Sequence, residues 1–414
     1  MISYKKAISL INKSTITLSS KKISIEKALN KICAKDILSP SKYPSFNNSA
    51  FDGFALASRE TKGLNSKKTK KFRILKTIAA GDNPKINKYK KNSAVEIMTG
   101  ALMPKQFDTI LPVEKVKYFP SRKKPTHIIL DRNLKKFEYV RFGGEDYKPG
   151  NLVVKKGQKI QANHLIAFAA LGIKEILVKK IPKIIFFGTG NEITDYRKKN
   201  IPLWKVRNSN NLYFSTFGKD LNLEVVDGGI IKDNEPYKLK KALQKTMRSD
   251  IDLFVTSGAI SAGKFDFIPK LIKQFGFQNK FKGAKIKPGR PIMLSKFKKK
   301  LFLGLPGNSI SMVVGFRFFI YPLIRNMLGM NKEKTFKAKL LNKYSKRKDF
   351  THFLRCSLTV TKKGSCELKI LKGQQSNKLK SLTDANCWGI FYEGKTKFKR
   401  GDIIDWAPLI PGSQ

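Results

Sequence analysis

The sequence has little histidine and little cysteine, with 3 and 4 residues respectively among 414. The cysteines stand alone, without any CxxC pair, at Cys33, Cys356, Cys366 and Cys387. Zinc sites are built from closely spaced thiolate and imidazole ligands, and a cysteine nucleophile needs a base such as histidine. We therefore expect neither a structural zinc site nor cysteine–histidine catalysis.

Long apolar segments are also absent from the sequence. The N-terminal residues MISYKKAISLINK are too polar for a secretory signal, and the longest apolar stretch, residues 309–328, contains Arg317 and Arg325. A membrane-spanning helix needs roughly 20 consecutive apolar residues. These features predict a soluble cytoplasmic protein without a membrane segment.

Acidic residues are few: 30 Asp and Glu stand against 84 Lys and Arg, which gives a formal net charge of +54. A basic surface attracts nucleic acid, other polyanions and small anionic substrates by the same physics. The lysines are spread along the whole chain, and no RNP-like aromatic motif, zinc finger or basic leucine zipper occurs. We interpret the charge mainly as a drift of composition and expect no nucleic-acid partner. A specific polyanion partner and the attraction of small anionic substrates remain as alternatives.

The spacing of apolar residues divides the chain into several parts, as its length also suggests. Residues 1–38 are interpreted as two amphipathic helices, the second at residues 25–35 behind an N-cap at Ser24. The other parts are a β region with short strands, an α/β region and a second β region without helices, at residues 56–150, 182–331 and 332–414. The fold class predicted from these patterns is a multidomain α/β plus β protein.

The α/β region alternates strands with helices, which favours a doubly wound parallel sheet. Two loops rich in small residues follow its strands, at residues 257–263 and 304–308. Small residues let backbone N–H groups approach a phosphate, and ligands of open α/β sheets bind beyond the carboxyl ends of the strands. Either loop alone could be an ordinary turn. Together they predict one crevice for a phosphate or another oxyanion.

Acidic residues follow strand ends in the same region, at Glu192, Asp233 and Asp266. We expect them to gather at one edge of the sheet. Carboxylate oxygens beside phosphate-binding loops suit a Mg²⁺ ion that bridges to phosphate. Each of these residues could instead cap a helix, so a magnesium site and a capping role are both open.

Other loops combine polar or charged residues with glycine or proline. Lys287 and Arg290 flank a proline–glycine turn, which would direct two cations at an anion or form an exposed basic hairpin. In the second β region, Arg355 and the polar loop at residues 373–381 are candidate contacts. The first β region contains several loops that are turns individually but together favour a surface for a polar ligand, at residues 47–53, 78–82, 96–101 and 141–146.

Short motifs in these loops occur in a characteristic order. They are NNSAFDGFA at 47–55, IMTGA at 97–101, GED at 144–146, GTGNE at 188–192, TSGAIS at 256–261, KPGRP at 287–291 and LPGN at 305–308. Each motif is weak alone, but the ordered set is specific and covers nearly the whole chain. In order and approximate spacing the set resembles the molybdopterin molybdenumtransferase family, which includes bacterial MoeA and the E domain of gephyrin.

The resemblance implies an elongated homodimer whose subunits have four domains. A helical and β domain would be built from both flanks of an inserted β domain, beside an α/β domain of the molybdopterin-binding type and a C-terminal domain like a β barrel. The implied bounds are residues 1–38 with 151–181, 39–150, 182–331 and 332–414.

The implied reaction inserts molybdenum from molybdate into adenylylated molybdopterin and releases AMP, with Mg²⁺ as cofactor. A molybdopterin adenylyltransferase and apo-molybdoenzymes would be partners. The implied catalytic residues are Asp52, Thr99, Asp146, Glu192, Asp233 and Asp266, of which Glu192, Asp233 and Asp266 would hold the metal. The implied substrate-binding residues are Gly188, Thr189, Gly190, Ser257, Gly258, Ser261, Gly263, Lys287, Arg290, Pro306, Gly307, Asn308, Arg355 and Ser381.

The sequence departs from the family pattern at Ala259, Arg290 and Ser309, where the family usually or often has glycine, lysine and proline. We expect Ala259 to permit a close backbone approach if its φ is negative. Two other functions remain open from the residues. One is a molybdopterin adenylyltransferase or related nucleotide enzyme, against which the additional β regions argue, and the other is a non-enzymatic scaffold or polyanion-binding protein.

Overall fold

The computed structural model describes residues 1–260 and 267–411. The chain begins with the helix Tyr4–Ser14, which Ser3 caps by accepting a hydrogen bond from the backbone N–H of Lys6. The second predicted helix, at residues 25–35, was wrong, because only the 3₁₀ turn Ile25–Lys27 forms there. The backbone N–H groups of Asn30 and Cys33 donate to the carbonyls of Ile160 and Gln158 instead. Pairing with a distant segment therefore replaces helical hydrogen bonds.

The segments on either side of the inserted region form one body. The strand Ser20–Ser24 pairs antiparallel with Glu175–Lys179, and Ile37–Leu38 pairs with Leu152–Val154, next to the helix Ala162–Ala170. They share a core made of Ala28, Cys33, Ile37, Val154, Ile160, Phe168, Ile176 and Val178. This pairing across the insertion agrees with the arrangement that the resemblance implied.

The inserted region is built on one six-stranded sheet. In spatial order its strands are Thr109–Pro112, Gly53–Leu56, Ser93–Ile97, Lys70–Ile78, His127–Leu130 and Lys117–Phe119. Gly53, Phe54 and Ala55 were predicted as the end of a loop, because the small polar residues in this segment favour turns, but they belong to the strand Gly53–Leu56. A Cβ atom on Gly53 would collide with the carbonyl oxygen of Leu111, so glycine permits the close pairing that makes this segment a strand.

The α/β region forms a second six-stranded sheet. Its spatial order is Glu224–Ile231, Lys183–Thr189, Leu253–Ser257, Lys300–Leu305, Met293–Phe297 and Gln278–Lys282. The first four strands are parallel, and Met293–Phe297 is antiparallel to both of its neighbours. Helices cover both faces: Ser209–Asp220, Pro236–Met247, Ile268–Gln274 and a helical stretch that runs as Ser309–Gly315, Phe316–Ile320 and Tyr321–Met327. The inner parallel strands Lys183–Thr189, Leu253–Ser257 and Lys300–Leu305 are buried on both faces and are nearly continuous apolar runs, which is why the sequence predicts them well.

The C-terminal region is a closed barrel of five strands, Phe336–Leu340, Thr351–Val360, Cys366–Ile370, Cys387–Phe391 and Ile403–Pro408. The barrel closes because Thr351–Val360 pairs with both Cys366–Ile370 and Cys387–Phe391. The prediction that helices are absent after residue 332 was wrong in one place, where the short helix Lys380–Thr383 forms. Within the described parts of the chain, no helix has the length and apolar character needed to cross a membrane.

One segment of the α/β region joins the barrel. The short strand Ile286–Lys287 pairs in parallel with Thr351–His352 of the barrel. The chain then returns to the α/β sheet as Met293–Phe297, whose first residue lies opposite Gly304 in the antiparallel neighbour Lys300–Leu305. The proline–glycine turn therefore lies at the same edge of the sheet as the loop that follows Leu305.

Candidate functional site

The predicted glycine loops come together at the carboxyl edge of the parallel sheet. Thr189 Oγ1 donates to the carbonyl of Ser257 at 2.9 Å, and the backbone N–H of Gly258 donates to the carbonyl of Leu305 at 2.8 Å. A Cβ atom on Gly307 would lie 3.6 Å from Cα of Gly258. The loops after three neighbouring strands are thus in contact and form one crevice. The predicted residues in these loops are Gly188, Thr189, Gly190, Ser257, Gly258, Pro306, Gly307 and Asn308.

The crevice lies where the strand order of the sheet changes direction. Along the chain, Lys183–Thr189 is followed in this sheet by Glu224–Ile231 and then by Leu253–Ser257. These two strands lie on opposite sides of Lys183–Thr189. At such a point, the helices that follow two adjacent strands lie on opposite faces of the sheet. A ligand crevice opens between them. Ser261, Gly263 and Asp266, which were predicted for this crevice, lie outside the described residues.

The first turn of the helix Ser209–Asp220 supplies polar groups that sequence reasoning missed. The amide of Asn210 donates from Nδ2 to the carbonyl of Gly307 at 2.8 Å and to Ser257 Oγ at 3.3 Å. Its Oδ1 is buried without a hydrogen-bond partner in the described structure. Asn208 caps the helix by accepting from the backbone N–H of Asn211. A helix cap needs only one side chain of this kind. The several polar residues in the run NSNN were therefore the sequence signal that one of them has a role other than capping.

Two helix N-termini meet at this crevice. Asn308 caps the helical stretch that begins at Ser309 by accepting from the backbone N–H of Ile310 at 3.2 Å. The hydroxyl of Ser309 lies 2.9 Å from the hydroxyl of Ser209, at the start of the other helix. A proline at this position would lack the hydroxyl, so the serine found here is what connects the two helix ends. Helix N-termini carry partial positive charge and unpaired N–H groups, so the crevice suits an anion.

Ala259 differs from its expected conformation. Its φ is +51°, in the left-handed region, so the negative φ under which alanine was expected to permit a close approach is not found. An alanine there bears backbone strain of roughly 1–2 kcal/mol that glycine would not. The preceding residue, Gly258, has a φ of +100°, so the turn uses two positive φ angles in succession. This geometry explains why glycine suits both positions.

The described acidic residues of the predicted metal site lie beside the crevice. Asp233 Oδ2 accepts from the backbone N–H of Asn191 at 3.2 Å, and Asn191 Oδ1 accepts from the backbone N–H of Asp233 at 3.0 Å. A Cβ atom on Gly190 would lie 2.6 Å from Glu192 Oε2, so the carboxylate of Glu192 lies against that glycine. Among residues 1–260 and 267–411, no group of three or more His, Cys, Asp or Glu side chains is placed to hold a metal ion.

Two lysines also lie close to Glu192 and Asp233. Lys205 and Lys232 both donate to the carbonyl of Asn191, at 2.5 and 3.4 Å. Burial and the neighbouring Lys205 lower the pKa of Lys232, while Glu192 and Asp233 act in the opposite direction. Glu192 and Asp233 are therefore close to a partly buried ammonium group.

The predicted cations Lys287 and Arg290 line a cavity of about 790 Å³ between the proline–glycine turn and the barrel, which we call the basic cavity. Lys346 and Arg347 line it as well, and sequence reasoning missed both because the apolar pattern around them is that of an ordinary strand end. The Arg290 guanidinium lies 5.3 Å from the centre of the Phe350 ring. Four cationic side chains line this cavity, so its charge suits a small anion.

Arg355 and Ser381, two further predicted substrate-binding residues, are bonded to each other, at 2.8 Å between Arg355 Nε and Ser381 Oγ. Arg355 is fully buried and also donates from Nη2 to the carbonyls of Gly373 and Gln375. It lies under a loop that lines the basic cavity, while its Nη1 is buried without a described partner.

The predicted residues of the inserted region are only partly brought together. Asp52 Oδ1 accepts from both the backbone N–H and the hydroxyl of Thr99, at 2.7 and 2.8 Å. These bonds, the backbone one first, lower the pKa of Asp52. Asp146 lies on a separate turn, where its backbone N–H donates to the carbonyl of Tyr43. The described contacts thus join Asp52 to Thr99 but not to Asp146.

The substitution Thr99→Val tests the pairing of Asp52 with Thr99. It removes the hydroxyl donor and keeps the backbone donor, so we expect the pKa of Asp52 to rise towards its ordinary value without reaching it. Carboxyl-carbon NMR titration of Asp52 measures this change. Thr359→Val, on an exposed part of the barrel, is the matched control and should leave the Asp52 titration unchanged. An unchanged pKa in Thr99→Val would show that the hydroxyl bond is not formed.

Comparison with known proteins covers almost the whole chain. Three family models match: "MoeA N-terminal region (domain I and II)" over residues 2–172, "Probable molybdopterin binding domain" over 186–326, and "MoeA C-terminal region (domain IV)" over 337–409. A molybdopterin molybdenumtransferase from Staphylococcus epidermidis is 28% identical over 409 residues, which is 98% of this chain and 94% of the relative. One from Staphylococcus aureus is 29% identical over 414 residues, with the same coverage.

A solved structure shares the fold over its full length. The crystal structure of a molybdopterin biosynthesis MoeA protein from Pyrococcus horikosii has a TM-score of 0.83 and 25% identity, and the match covers 99% of both chains. The order of the matched regions along the chain is that of the motifs found in the sequence. The chain belongs to the molybdopterin molybdenumtransferase (MoeA) family.

Proposed function

We propose that this protein is a molybdopterin molybdenumtransferase, which inserts molybdenum from molybdate into adenylylated molybdopterin and releases AMP during molybdenum cofactor biosynthesis. One observation carries the proposal beyond the family match. The phosphate-type crevice and the basic cavity lie at the same edge of one sheet, because Met293 and Gly304 are opposite each other in neighbouring strands. A substrate with a phosphoanhydride at one end and a molybdate acceptor at the other needs both the crevice and the basic cavity.

The crevice would hold the phosphates of the substrate. The loops at Gly190, Gly258 and Gly307 present backbone at close range, and the N-termini of two helices favour negative charge there. The buried Oδ1 of Asn210 is an acceptor that can take a hydrogen bond from a hydroxyl or amine of the nucleotide. Donors that are already in place stabilise the charge that develops on the leaving AMP.

Magnesium is part of this proposal. The described carboxylates fit a hard cation, because Asp233 uses only Oδ2 in its bond to Asn191 and Glu192 lies exposed against Gly190. Glu192 and Asp233 would hold the ion together with Asp266, and the bound ion would offset negative charge on the phosphates. Lys232 places a partly buried ammonium group close to the two carboxylates.

Molybdate would bind in the basic cavity. Lys287 and Arg290 supply cations at its surface, and the unpaired Nη1 of Arg355 lies under its wall. Arginine and lysine donors satisfy a tetrahedral oxyanion without a metal ligand from the protein. Ser381 would act by holding the Arg355 side chain, since its hydroxyl accepts from Nε.

We further propose a cytoplasmic homodimer in which Asp52, Thr99 and Asp146 of one subunit complete the cleft of the other. Asp52 is exposed, stays ionised through its bonds to Thr99, and lies beside the half-exposed ring of Phe51. An ionised side chain next to exposed apolar surface suits a residue that acts on a neighbouring molecule. The adenylyltransferase that makes the substrate and the apo-molybdoenzymes that take the product are the proposed partners.

The proposal is tested with purified protein, adenylylated molybdopterin, Mg²⁺ and molybdate. We expect AMP release that depends on molybdate, together with activation of an apo-molybdoenzyme used as reporter. Substrate binding without either product would favour the scaffold function. Adenylation of molybdopterin with ATP would favour the adenylyltransferase function.

Removal of a cation from the basic cavity should weaken molybdate binding. A charge-assisted hydrogen bond contributes about 1.5–3 kcal/mol, so Lys287→Ala and Arg290→Ala are each expected to lower the affinity about 10-fold to 100-fold. Lys363→Ala removes the same charge from an exposed turn of the barrel and controls for the overall field of the protein. Calorimetric titration with molybdate measures the affinities. Equal losses in all three variants would argue against a site at the basic cavity.

A further inference from the structure

His352 is a buried histidine in the wall of the basic cavity. It belongs to the barrel strand Thr351–Val360 and is 5% exposed. Its Nδ1 lies 2.7 Å from the hydroxyl of Tyr344, and no described protein group bonds to its Nε2. A phenol hydroxyl can donate to a neutral ring nitrogen or accept from a protonated one. The ring can therefore keep this bond in both of its protonation states.

The charged groups around His352 are mostly cationic. Lys287 lies opposite it on the parallel strand, Lys346 follows Tyr344–Ser345, and Arg290 and Arg347 line the same cavity. Phe391, opposite it on the other neighbouring strand, is apolar. The acidic groups near the cavity already have partners: Glu393 accepts from Thr351, and Asp349 pairs with Lys285 and Arg347.

This environment disfavours the protonated ring when the cavity holds no anion. Burial, then Lys287, then Lys346 lower the pKa of His352 to about 4. The pKa of Tyr344 is raised to about 12 by burial, so its hydroxyl keeps its proton at neutral pH. A dianion beside Lys287 and Lys346 would cancel the repulsion that these two ammonium groups exert on an imidazolium.

We propose that His352 is the proton-accepting residue of the basic cavity: binding of molybdate there transfers one proton from solvent to His352, so that molybdate binds more tightly as the pH falls. This inference rests on the proposed function, because it takes molybdate as the anion. It adds a binding residue that is neutral when the cavity is empty and cationic when the anion is present.

The sign follows from linkage between the two equilibria. The pKa of His352 is about 4 in the free protein and higher in the complex. Between these two values the complex holds one more proton than the free protein, so the association constant rises up to tenfold for each unit by which the pH falls. Above the pKa of the complex the affinity no longer depends on this group.

The test is calorimetric titration with micromolar molybdate, which stays monomeric, between about pH 5.5 and about pH 8, in pairs of buffers with different ionisation heats. The protein is expected to take up close to one proton per molybdate at the acid end. His352→Gln keeps an acceptor for Tyr344 and a donor towards the cavity but cannot titrate, so its proton uptake and its pH slope should both vanish. His127→Gln removes a histidine of the inserted sheet and should change neither.

NMR titration of the histidine ring protons in the unaltered protein gives a second readout that does not depend on a variant. One histidine is expected to titrate at a higher pH with molybdate than without it. Molybdate binding without proton uptake, or uptake that persists in His352→Gln, would overturn the inference and leave the proposed function standing. If the unaltered protein binds no molybdate at any pH, the proposed function fails at this cavity and the inference fails with it.

Discussion

Replacement of Gly258 with alanine is expected to reduce molybdenum transfer at least a hundredfold. Gly258 has a φ of +100°, and a Cβ atom there would lie 2.5 Å from Thr189 Oγ1 and 2.8 Å from the carbonyl oxygen of Thr189. The carbonyl is backbone and cannot rotate away, so the two loops must separate. A displacement of about 1 Å in a positioning element can lower a rate about a hundredfold. Separation would break the bonds that Thr189 and Gly258 make to Ser257 and Leu305.

The same substitution should also lower the free energy of unfolding, by roughly 3 kcal/mol when backbone strain and the steric clash are taken together. Gly401→Ala is the matched control. Gly401 has a φ of +91°, but nothing lies within 4 Å of the position that a Cβ atom would take, so alanine adds strain there without a clash. It should destabilise the protein by about 1–2 kcal/mol and leave transfer unchanged. Normal transfer by Gly258→Ala would show that these loops need not touch for catalysis.

The second large effect is expected from Glu333→Ala. Arg317 is 1% exposed and lies in the π-helical segment Phe316–Ile320. Both of its terminal nitrogens donate to the carboxylate of Glu333, at 2.8 and 2.7 Å, and its Nε donates to the carbonyl of Pro408 at 3.1 Å. Arginine does not lose its proton in proteins, so removal of Glu333 leaves a buried charge without its counter-ion. We expect a loss of about 3–5 kcal/mol in the free energy of unfolding.

Urea unfolding followed by the tryptophan fluorescence of the barrel measures this loss. Asp384→Ala breaks the exposed ion pair with Lys380, whose atoms are 3.2 Å apart, and should cost less than about 1 kcal/mol. The double variant Arg317→Met with Glu333→Leu removes both charges and should recover most of the stability. Equal effects of Glu333→Ala and Asp384→Ala would mean that solvent screens the charge of Arg317.

The central strands of the α/β sheet could be predicted from the sequence, because strands that are buried on both faces are nearly continuous apolar runs. The strands Leu253–Ser257 and Lys300–Leu305 are buried along almost their whole length, and the loops predicted at residues 257–263 and 304–308 begin at their carboxyl ends. The loops that follow such strands must lie at one edge, so Gly188, Ser257 and Gly307 could be placed together without coordinates. In this part of the fold, local pattern and tertiary structure give the same answer.

Other elements depend on contacts that the sequence pattern does not contain. Apolar residues at helical spacing in 25–35 predicted a helix, but the backbone of this segment is bonded to residues 158–160. The partner of Arg355 depends on the course of the loop that ends at Ser381. His352 and Tyr344 meet only because the barrel closes. Such pairings are set by long-range packing, and no local propensity reports them.

The parallel pairing of Ile286–Lys287 with the barrel has a consequence for how a long substrate is held. The arm that carries the two cations starts from one strand of the sheet and returns as its neighbour, so both of its ends are fixed to the element that carries the glycine loops. Adjacent strands are held about 4.8 Å apart by their hydrogen bonds. On the proposed function, the spacing of these strands would set the distance between the nucleotide end and the molybdate end of a bound substrate. Both ends could then be bound without closure of a domain.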